Sequence, residues 1–183
     1  MKPLVWFLAV FLVVLLTGCG SDIDNPTISE NDDQAQLAPA STESQVNYQI
    51  LAEAARQVGQ PSNNCKEWVR GVVLKGVGKD IPSTDSRLIY QWVPSSVVKV
   101  VWQVKFACVK SFSSSIKPGQ IMQIKWRYPY MSGGPHTIIL KSISATSITY
   151  YEANAGPVVK ITTTSISRWQ QITDAWTVYQ VIP

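Results

Sequence analysis

The sequence predicts an α+β fold in which helices near the start of the folded domain pack on an antiparallel β-sheet. Two observations lead to this prediction. Apolar residues recur at helical spacing before residue 78, whereas β-branched and aromatic residues dominate from Val97 onward. Helices followed by a run of strands are typical of α+β proteins, because such strands pair with one another in an antiparallel sheet.

Two short helices precede the strands. The apolar spacing within Tyr48–Val58 predicts the first helix. The segment 59–64, GQPSNN, breaks it, and Asn63 or Asn64 can cap a second helix over Cys65–Leu74. Strands are predicted near Val98–Val104, Gln120–Trp126, Thr137–Ser142, Ser147–Glu152, Val158–Thr164 and Trp176–Val181.

The N-terminus resembles an export signal. Thirteen consecutive apolar residues, Leu4–Leu16, follow the basic Lys2. A transmembrane helix needs roughly 20 such residues, so this run fits the apolar region of a signal peptide, here residues 1–18. The tetrapeptide LTGC, which ends at Cys19, resembles the lipobox of bacterial lipoproteins and implies a lipid on Cys19. The alternative is an ordinary secretory signal followed by an incidental cysteine.

The expected location follows from that signal. A lipid on Cys19 would anchor an extracytoplasmic protein to a bacterial membrane without spanning it. Gly20 stands where many Gram-negative lipoproteins that stay in the inner membrane carry Asp. This difference favours the outer membrane if the cell has one.

The stretch 19–45 is predicted to be a disordered acidic tether. From Ser21 to Gln45 it has six acidic residues, no basic ones and no sustained apolar period. The domain from Val46 to Pro183 then keeps 15 basic and 6 acidic residues, a net charge of +9. This excess suggests work near phospholipid head groups or acidic wall polymers, or simply a solvated basic surface. No nucleic-acid recognition module is visible, and we expect no nucleic-acid partner.

Cys65, His136, Glu152 and Asn154 form a candidate catalytic set, and His136 is the only histidine. Cys65 is predicted in the first turn of a helix, where free N–H groups and the helix dipole favour the thiolate. The imidazole can accept the thiol proton, and a carboxylate or amide behind it fixes its orientation. Glu152 and Asn154 are two residues apart, so in an extended strand their side chains share one face.

An oxyanion formed at this site needs hydrogen-bond donors. The free N–H groups of the helix, including that of Cys65, are candidates. The side-chain amide of Gln60, in the preceding loop, is another candidate unless it is solvated. Each residue also has a structural explanation. Cys65 can be a buried core thiol or form a disulfide with Cys108, a lone histidine is often structural, and the polar pair can simply end a strand.

Four segments resemble, in the same order, the motifs of CHAP domains, which are cysteine- and histidine-dependent amidohydrolases and peptidases. The segments are NCKEWV at 64–69, PGQI at 118–121, GPHTII at 134–139 and YEAN at 151–154. The resemblance covers about Val46 to the C-terminus. It implies a papain-like fold of the CHAP/NlpC type, with Cys65 as nucleophile, His136 as general base and then acid, Glu152 as orienting residue and Asn154 as a fourth polar member.

The sequence departs from the family pattern at two positions. Gln120 stands where the family usually has Asp, and Pro135 replaces the small residue that commonly precedes the histidine. The related NlpC-type hydrolases usually have Asp before the nucleophile and a second histidine as third residue. Asn64 precedes Cys65 here and no second histidine exists, which favours the CHAP resemblance.

CHAP domains typically cleave amide bonds of bacterial peptidoglycan. The sequence therefore predicts a monomeric, envelope-anchored amidase or endopeptidase that acts through a thioester acyl-enzyme, without a metal or cofactor. One alternative is a catalytically inactive CHAP-like lipoprotein that binds cell wall or a protein partner. Another is a papain-like protease acting on envelope proteins, with Trp126, Tyr128 and Tyr130 lining its cleft.

Overall fold

The structure of the protein is a computed structural model that describes residues 42–62, 64–81, 96–104, 112–128 and 135–183. These residues belong to one compact unit, Ala38–Pro183. The predicted signal peptide, the predicted lipidation site Cys19, most of the predicted tether and Cys108 lie outside the described residues. Within them, no helix is long and apolar enough to cross a membrane.

The described chain forms three helices and six strands, which confirms the α+β prediction. The helices are α1 Glu43–Arg56, α2 Cys65–Val77 and α3 Ile166–Ile172, and the strands are β1 Val98–Val104, β2 Ile121–Trp126, β3 Pro135–Ile143, β4 Ser147–Glu152, β5 Lys160–Ser165 and β6 Thr173–Val181. All strand pairs are antiparallel, and their spatial order is β1-β6-β2-β3-β4-β5.

Helix α1 begins earlier than the apolar spacing predicts. The Thr42 hydroxyl accepts a hydrogen bond from the Gln45 N–H at 3.2 Å and caps the helix. Thr42 and Gln45 have the spacing of a capping box. The helix therefore starts at Glu43 instead of Tyr48, and the last three residues assigned to the tether are helical.

Helix α2 starts where the sequence predicts and ends one turn later. Asn64 caps its start, and Gly78 ends it in the left-handed region at φ 72° instead of the helix stopping at Leu74. Gly76, inside the helix, lies against α1, since a Cβ there would be 3.1 Å from the Gln49 carbonyl oxygen. A glycine at this position lets the two helices approach closely.

Two apolar cores cover opposite faces of the sheet. Helices α1 and α2 pack on the face that carries Ile121, Ile139 and Tyr179. The other face carries a tryptophan-rich core that includes Trp169 from α3 and Trp176 from β6. The sequence patterns do not predict helix α3, because seven residues are too few to show a clear apolar period, although Ser165 caps the helix and Trp169 is fully buried.

Candidate active site

Cys65 is the first residue of α2, and the local sequence explains why. The Asn64 side chain accepts hydrogen bonds from the N–H groups of Lys66 and Glu67, both at 3.1 Å. The Trp68 N–H bonds to the Asn64 carbonyl at 3.0 Å. These bonds satisfy the second, third and fourth N–H groups of the helix but leave that of Cys65 beside its own sulfur. Cys65 is a free thiol and is 8% exposed.

The loop before α2 is tied to the chain that follows β4. The Gly59 N–H bonds to the Val159 carbonyl, and the Val159 N–H bonds to the Gln60 carbonyl, both at 2.9 Å. Pro61 and Val158 form an isolated β-bridge next to these bonds. The residues that lead into α2 are therefore held against the segment that joins β4 to β5. This contact places the thiol near the end of β4.

The thiol fits a gap in the sheet where β4 has already ended. The Leu140 N–H donates to the Gln120 carbonyl, which lies on the β2 side of β3. Main-chain groups alternate in direction along a strand, so the Thr137 N–H points to the β4 side. Strand β4 ends at Glu152, opposite Ile138, and therefore supplies no partner for Thr137. The Cys65 sulfur accepts this N–H instead, which helps to lower the pKa of the thiol.

His136 lies between Cys65 and Glu152. Its Nε2 atom is 2.8 Å from Oε2 of Glu152 and both side chains are buried. The imidazole also hydrogen-bonds to the Cys65 thiol. Since Nε2 is taken by the carboxylate, Nδ1 is the ring atom left for the sulfur. The structure thus brings Cys65, His136 and Glu152 into one hydrogen-bonded chain, which we call the catalytic chain.

The pKa shifts along this chain favour separated charges. Burial raises the pKa of Cys65, but its hydrogen bond to His136, the imidazolium charge and the N–H donors together lower the pKa below its ordinary value. Burial opposes the charged form of His136, yet Cys65 and Glu152 raise its pKa from 6.5 to about 9. Both shifts favour the thiolate and imidazolium over the neutral pair, and this charged form is the reactive state of a nucleophilic cysteine.

Glu152 is held by two residues of β5. The Thr162 hydroxyl donates a short hydrogen bond to Oε1 of Glu152, and the Lys160 ammonium lies 3.7 Å from the same oxygen. Burial raises the pKa of Glu152, but bonds from His136 and Thr162 outweigh it and lower the pKa. The carboxylate is therefore ionised and oriented. Sequence reasoning missed Thr162, because nothing in the sequence shows which β5 residue faces Glu152.

An aromatic ring packs against the histidine. The Trp126 ring centroid lies 5.9 Å from that of His136, at an interplanar angle of 33°. Trp126 is buried and also contacts Trp169. Of the aromatic residues proposed to line a cleft, Tyr128 is 83% exposed and Tyr130 lies outside the described residues.

Two candidate residues, Asn154 and Gln60, are exposed, whereas the three residues of the catalytic chain are buried. Asn154 is exposed and adopts φ 66°, so the strand alternation expected from Glu152 does not continue to it. The physical reason is that β4 ends at Glu152 and the chain turns. Gln60 is also exposed, and its hydrogen bonds to the rest of the described chain come from its main chain. The other predicted oxyanion donor, the N–H of Cys65, lies beside the sulfur.

The two departures from the family pattern have structural explanations. Gln120 is buried and donates to Gln180 at 3.0 Å, and Gln180 in turn exchanges hydrogen bonds with Asn47 of α1. We call Asn47, Gln120 and Gln180 the amide cluster. Pro135 is the first residue of β3, and its missing N–H would point to the side where β4 has ended. A proline at this position removes no ladder hydrogen bond.

Comparisons with known proteins give a partial structural match. No protein-family model matches the chain, and no curated protein matches it in sequence. The crystal structure of Ly7917 with the hydrolyzing product of MDP is similar at a TM-score of 0.47 and 14% identity, over 74% of this chain and 62% of that chain. A second crystal structure of Ly7917 gives a TM-score of 0.45 at 13% identity, over 72% and 61% of the two chains. The match thus spans less than two thirds of Ly7917.

Proposed function

We propose that the protein is a cysteine hydrolase that cleaves amide bonds of peptidoglycan through a thioester acyl-enzyme. The observation that carries this proposal is the catalytic chain of Cys65, His136 and Glu152, with a distance of 2.8 Å between Nε2 and Oε2. A buried charged triad of this type is costly to maintain without a chemical use. The resemblance of the four ordered motifs to CHAP domains supports peptidoglycan as the substrate.

The reaction follows from the geometry. The Cys65 thiolate attacks the carbonyl carbon of the amide, and the carbonyl oxygen becomes an oxyanion. The Cys65 N–H at the start of α2 is the donor placed for that oxyanion, and the helix dipole adds to its stabilisation. The His136 imidazolium then gives its proton to the leaving amine as the carbon–nitrogen bond breaks, which leaves a thioester on Cys65.

In deacylation His136 acts as the base and Cys65 is the leaving group. Neutral His136 accepts a proton from water, and the resulting hydroxide attacks the thioester carbonyl. The thiolate leaves and the carboxylic acid product is released, with His136 again protonated beside the sulfur. Glu152 stabilises the imidazolium at both stages, and Thr162 fixes Glu152 from the other side.

The cellular setting is part of the same proposal. Cleavage of the signal before Cys19 and its lipidation would hold the domain outside the cytoplasm, on a bacterial membrane. Peptidoglycan would then be within reach of the domain. The net charge of +9 from Val46 to Pro183 would favour approach to anionic wall polymers.

The proposal is tested with the purified full chain and purified peptidoglycan. Wild type is expected to release new amine termini, whereas Cys65→Ala and Cys65→Ser are expected to release none. The matched control is Cys108→Ala, which removes a different thiol and is expected to retain activity. Equal release by wild type and Cys65→Ala would overturn the proposal. Wall binding by wild type without any release would instead favour the inactive, wall-binding alternative.

A further inference from the structure

We propose that a cleft beside α1 is a second binding site, which holds the glycan strand of peptidoglycan while the catalytic chain cleaves an amide bond. This cleft, which we call the α1 cleft, has a volume of about 770 Å³, and its lining includes Tyr48, Leu51, Lys99, Val100, Lys117 and Gln120. Its volume falls within the range of about 300–1,000 Å³ that is typical of ligand sites. The inference rests on peptidoglycan as the substrate and goes beyond the proposed function, because it assigns a site that takes no part in the cleavage.

The α1 cleft lies away from the catalytic chain. Cys65, His136 and Glu152 are not among the residues that line it. Gln120, which does line it, comes just before β2, whereas His136 pairs with Ile124 inside that strand. Four residues of extended chain span about 13 Å at about 3.3 Å per residue. A ligand in the cleft therefore leaves the thiol accessible, and a polymer of several sugar rings can reach from one site to the other.

The cleft is preformed by tight packing of the segment before β2 on α1. A Cβ on Gly119, which adopts φ 87°, would lie 2.5 Å from the Asn47 carbonyl oxygen, so glycine alone fits there. Oε1 of Gln120 accepts the Lys117 N–H at 2.8 Å and fixes the main chain of this lysine. A site that is already ordered binds its ligand without the cost of ordering these residues.

Two buried amides give the cleft hydrogen-bond donors. Asn47 and Gln120 both line it and are 7% and 3% exposed. Each amide nitrogen carries two hydrogens, and within the described chain each donates one hydrogen bond, to Oε1 of Gln180. Buried polar groups rarely stay unsatisfied. The second hydrogen of each nitrogen is therefore a donor for a carbonyl or hydroxyl oxygen that enters the cleft.

The exposed part of the lining combines an aromatic ring with one surplus positive charge. Tyr48 is 73% exposed. Lys99 is paired with Glu43, whereas Lys117 is exposed and has no acidic partner among the residues that the structure describes. Surfaces that bind anionic lipid use clusters of about four to eight basic residues. The charge of this cleft therefore favours a polymer with scattered carboxylates over a phospholipid surface.

The glycan of peptidoglycan carries the groups that this lining can bind. Each sugar ring has an apolar C–H face that can stack on the Tyr48 ring, and its N-acetyl group offers a carbonyl oxygen to the amide donors. Carboxylates of the lactyl groups and peptide stems complement Lys117. Apolar walls with a few placed polar groups are the usual composition of a small-molecule site.

The experiment measures the Kd of the full-length Cys65→Ala protein for peptide-free glycan chains, which contain no peptide bond to cleave. Tyr48→Ala is expected to raise this Kd about tenfold, and Tyr48→Phe, which keeps the ring, is expected to restore it. Lys117→Met is expected to raise it about threefold to fivefold, as for an exposed charge contact. N-deacetylated chains, which lack the carbonyl acceptors, should bind more weakly. Both side chains are exposed, so these variants should fold like wild type.

Lys125→Met is the matched control, since it removes an exposed positive charge at the opposite end of β2 and should leave the Kd unchanged. Equal Kd values with and without Tyr48→Ala overturn the inference. It is also overturned if Tyr48→Ala and Lys117→Met abolish binding to anionic phospholipid vesicles but not to glycan chains. Glycan binding that responds as expected, in a protein that cleaves no amide bond, refutes the proposed function and supports this inference.

Discussion

The catalytic chain and the amide cluster are both buried polar groups that join a helix to the sheet, but they differ in charge. In the amide cluster, neutral side chains of α1 and β6 exchange hydrogen bonds, and Oε1 of Gln120 accepts the Lys117 N–H at 2.8 Å. In the catalytic chain, ionisable groups hold separated charges with shifted pKa values. Neutral amides are sufficient to hold a helix on the sheet. The buried charges of the catalytic chain are not needed for that purpose, which favours a catalytic role for them.

The largest expected effect of this difference is on catalysis. In Glu152→Gln the side chain keeps its shape but loses the charge that raises the pKa of His136, so that pKa should fall. We expect kcat to fall about 10²–10⁴-fold, as when a triad carboxylate is replaced by its amide. Steady-state kinetics across pH measure both effects. An unchanged kcat for Glu152→Gln would remove Glu152 from the mechanism.

The amide cluster should show the opposite behaviour. Gln180→Leu leaves the buried amides of Asn47 and Gln120 without their main partner. We expect the free energy of unfolding to fall by about 2–4 kcal/mol, because buried polar groups lose their hydrogen bonds. Urea denaturation measures this loss. At temperatures where the variant is folded, its kcat should match that of wild type. A loss of kcat comparable to that of Glu152→Gln would contradict the view that the amide cluster is structural and the catalytic chain is not.

Thr162 is a positioning residue that acts through Glu152, so its removal should have an intermediate effect. Thr162→Val keeps the shape of the side chain but removes the hydroxyl that donates to Glu152. The pKa of Glu152 should then rise toward its ordinary value, and kcat should fall about tenfold. The acid limb of the pH profile should move to higher pH. Thr162→Ser should restore both quantities, and failure of this rescue would indicate a purely packing role.

The smallest effect is expected at Asn154. Since Asn154 is exposed at φ 66°, glycine can replace it without strain. For Asn154→Gly we expect kcat to stay within about twofold of wild type and the free energy of unfolding to change by less than about 1 kcal/mol. A large loss of kcat with intact folding would place Asn154 in the mechanism, as the CHAP resemblance implies.

Much of the fold could be predicted from local sequence patterns. Strands β1 and β4 have the predicted bounds, and both are rich in β-branched and aromatic residues. Helix α2 was also predictable at its start, because Asn64 carries the capping signal. The start of α1 was missed because its first three residues, Glu43 to Gln45, are polar and add nothing to the apolar period. The capping box of Thr42 and Gln45 is the local signal that marks this start. Helix α3 was missed because it is too short for a clear apolar period.

The candidate site was predictable only in part, for reasons that lie in strand pairing. Cys65, His136 and Glu152 could be singled out from residue type, helix position and motif order. The role of Thr162 depends on the pairing of β4 with β5, which local patterns do not reveal. The placement of Asn154 depends on where β4 ends, since the strand stops at Glu152 and Asn154 adopts φ 66° beyond it.

The central claim is that Cys65 and His136 rest as a charged pair, and alkylation of Cys65 against pH tests it most directly. The rate at the Cys65 peptide is followed by mass spectrometry, which separates it from other cysteines. Because the pKa of Cys65 is lowered and that of His136 is raised to about 9, the rate should begin to rise at a lower pH than for a free thiol and change again near pH 9. A single inflection at or above the free-thiol pKa of about 8.5 would contradict the account.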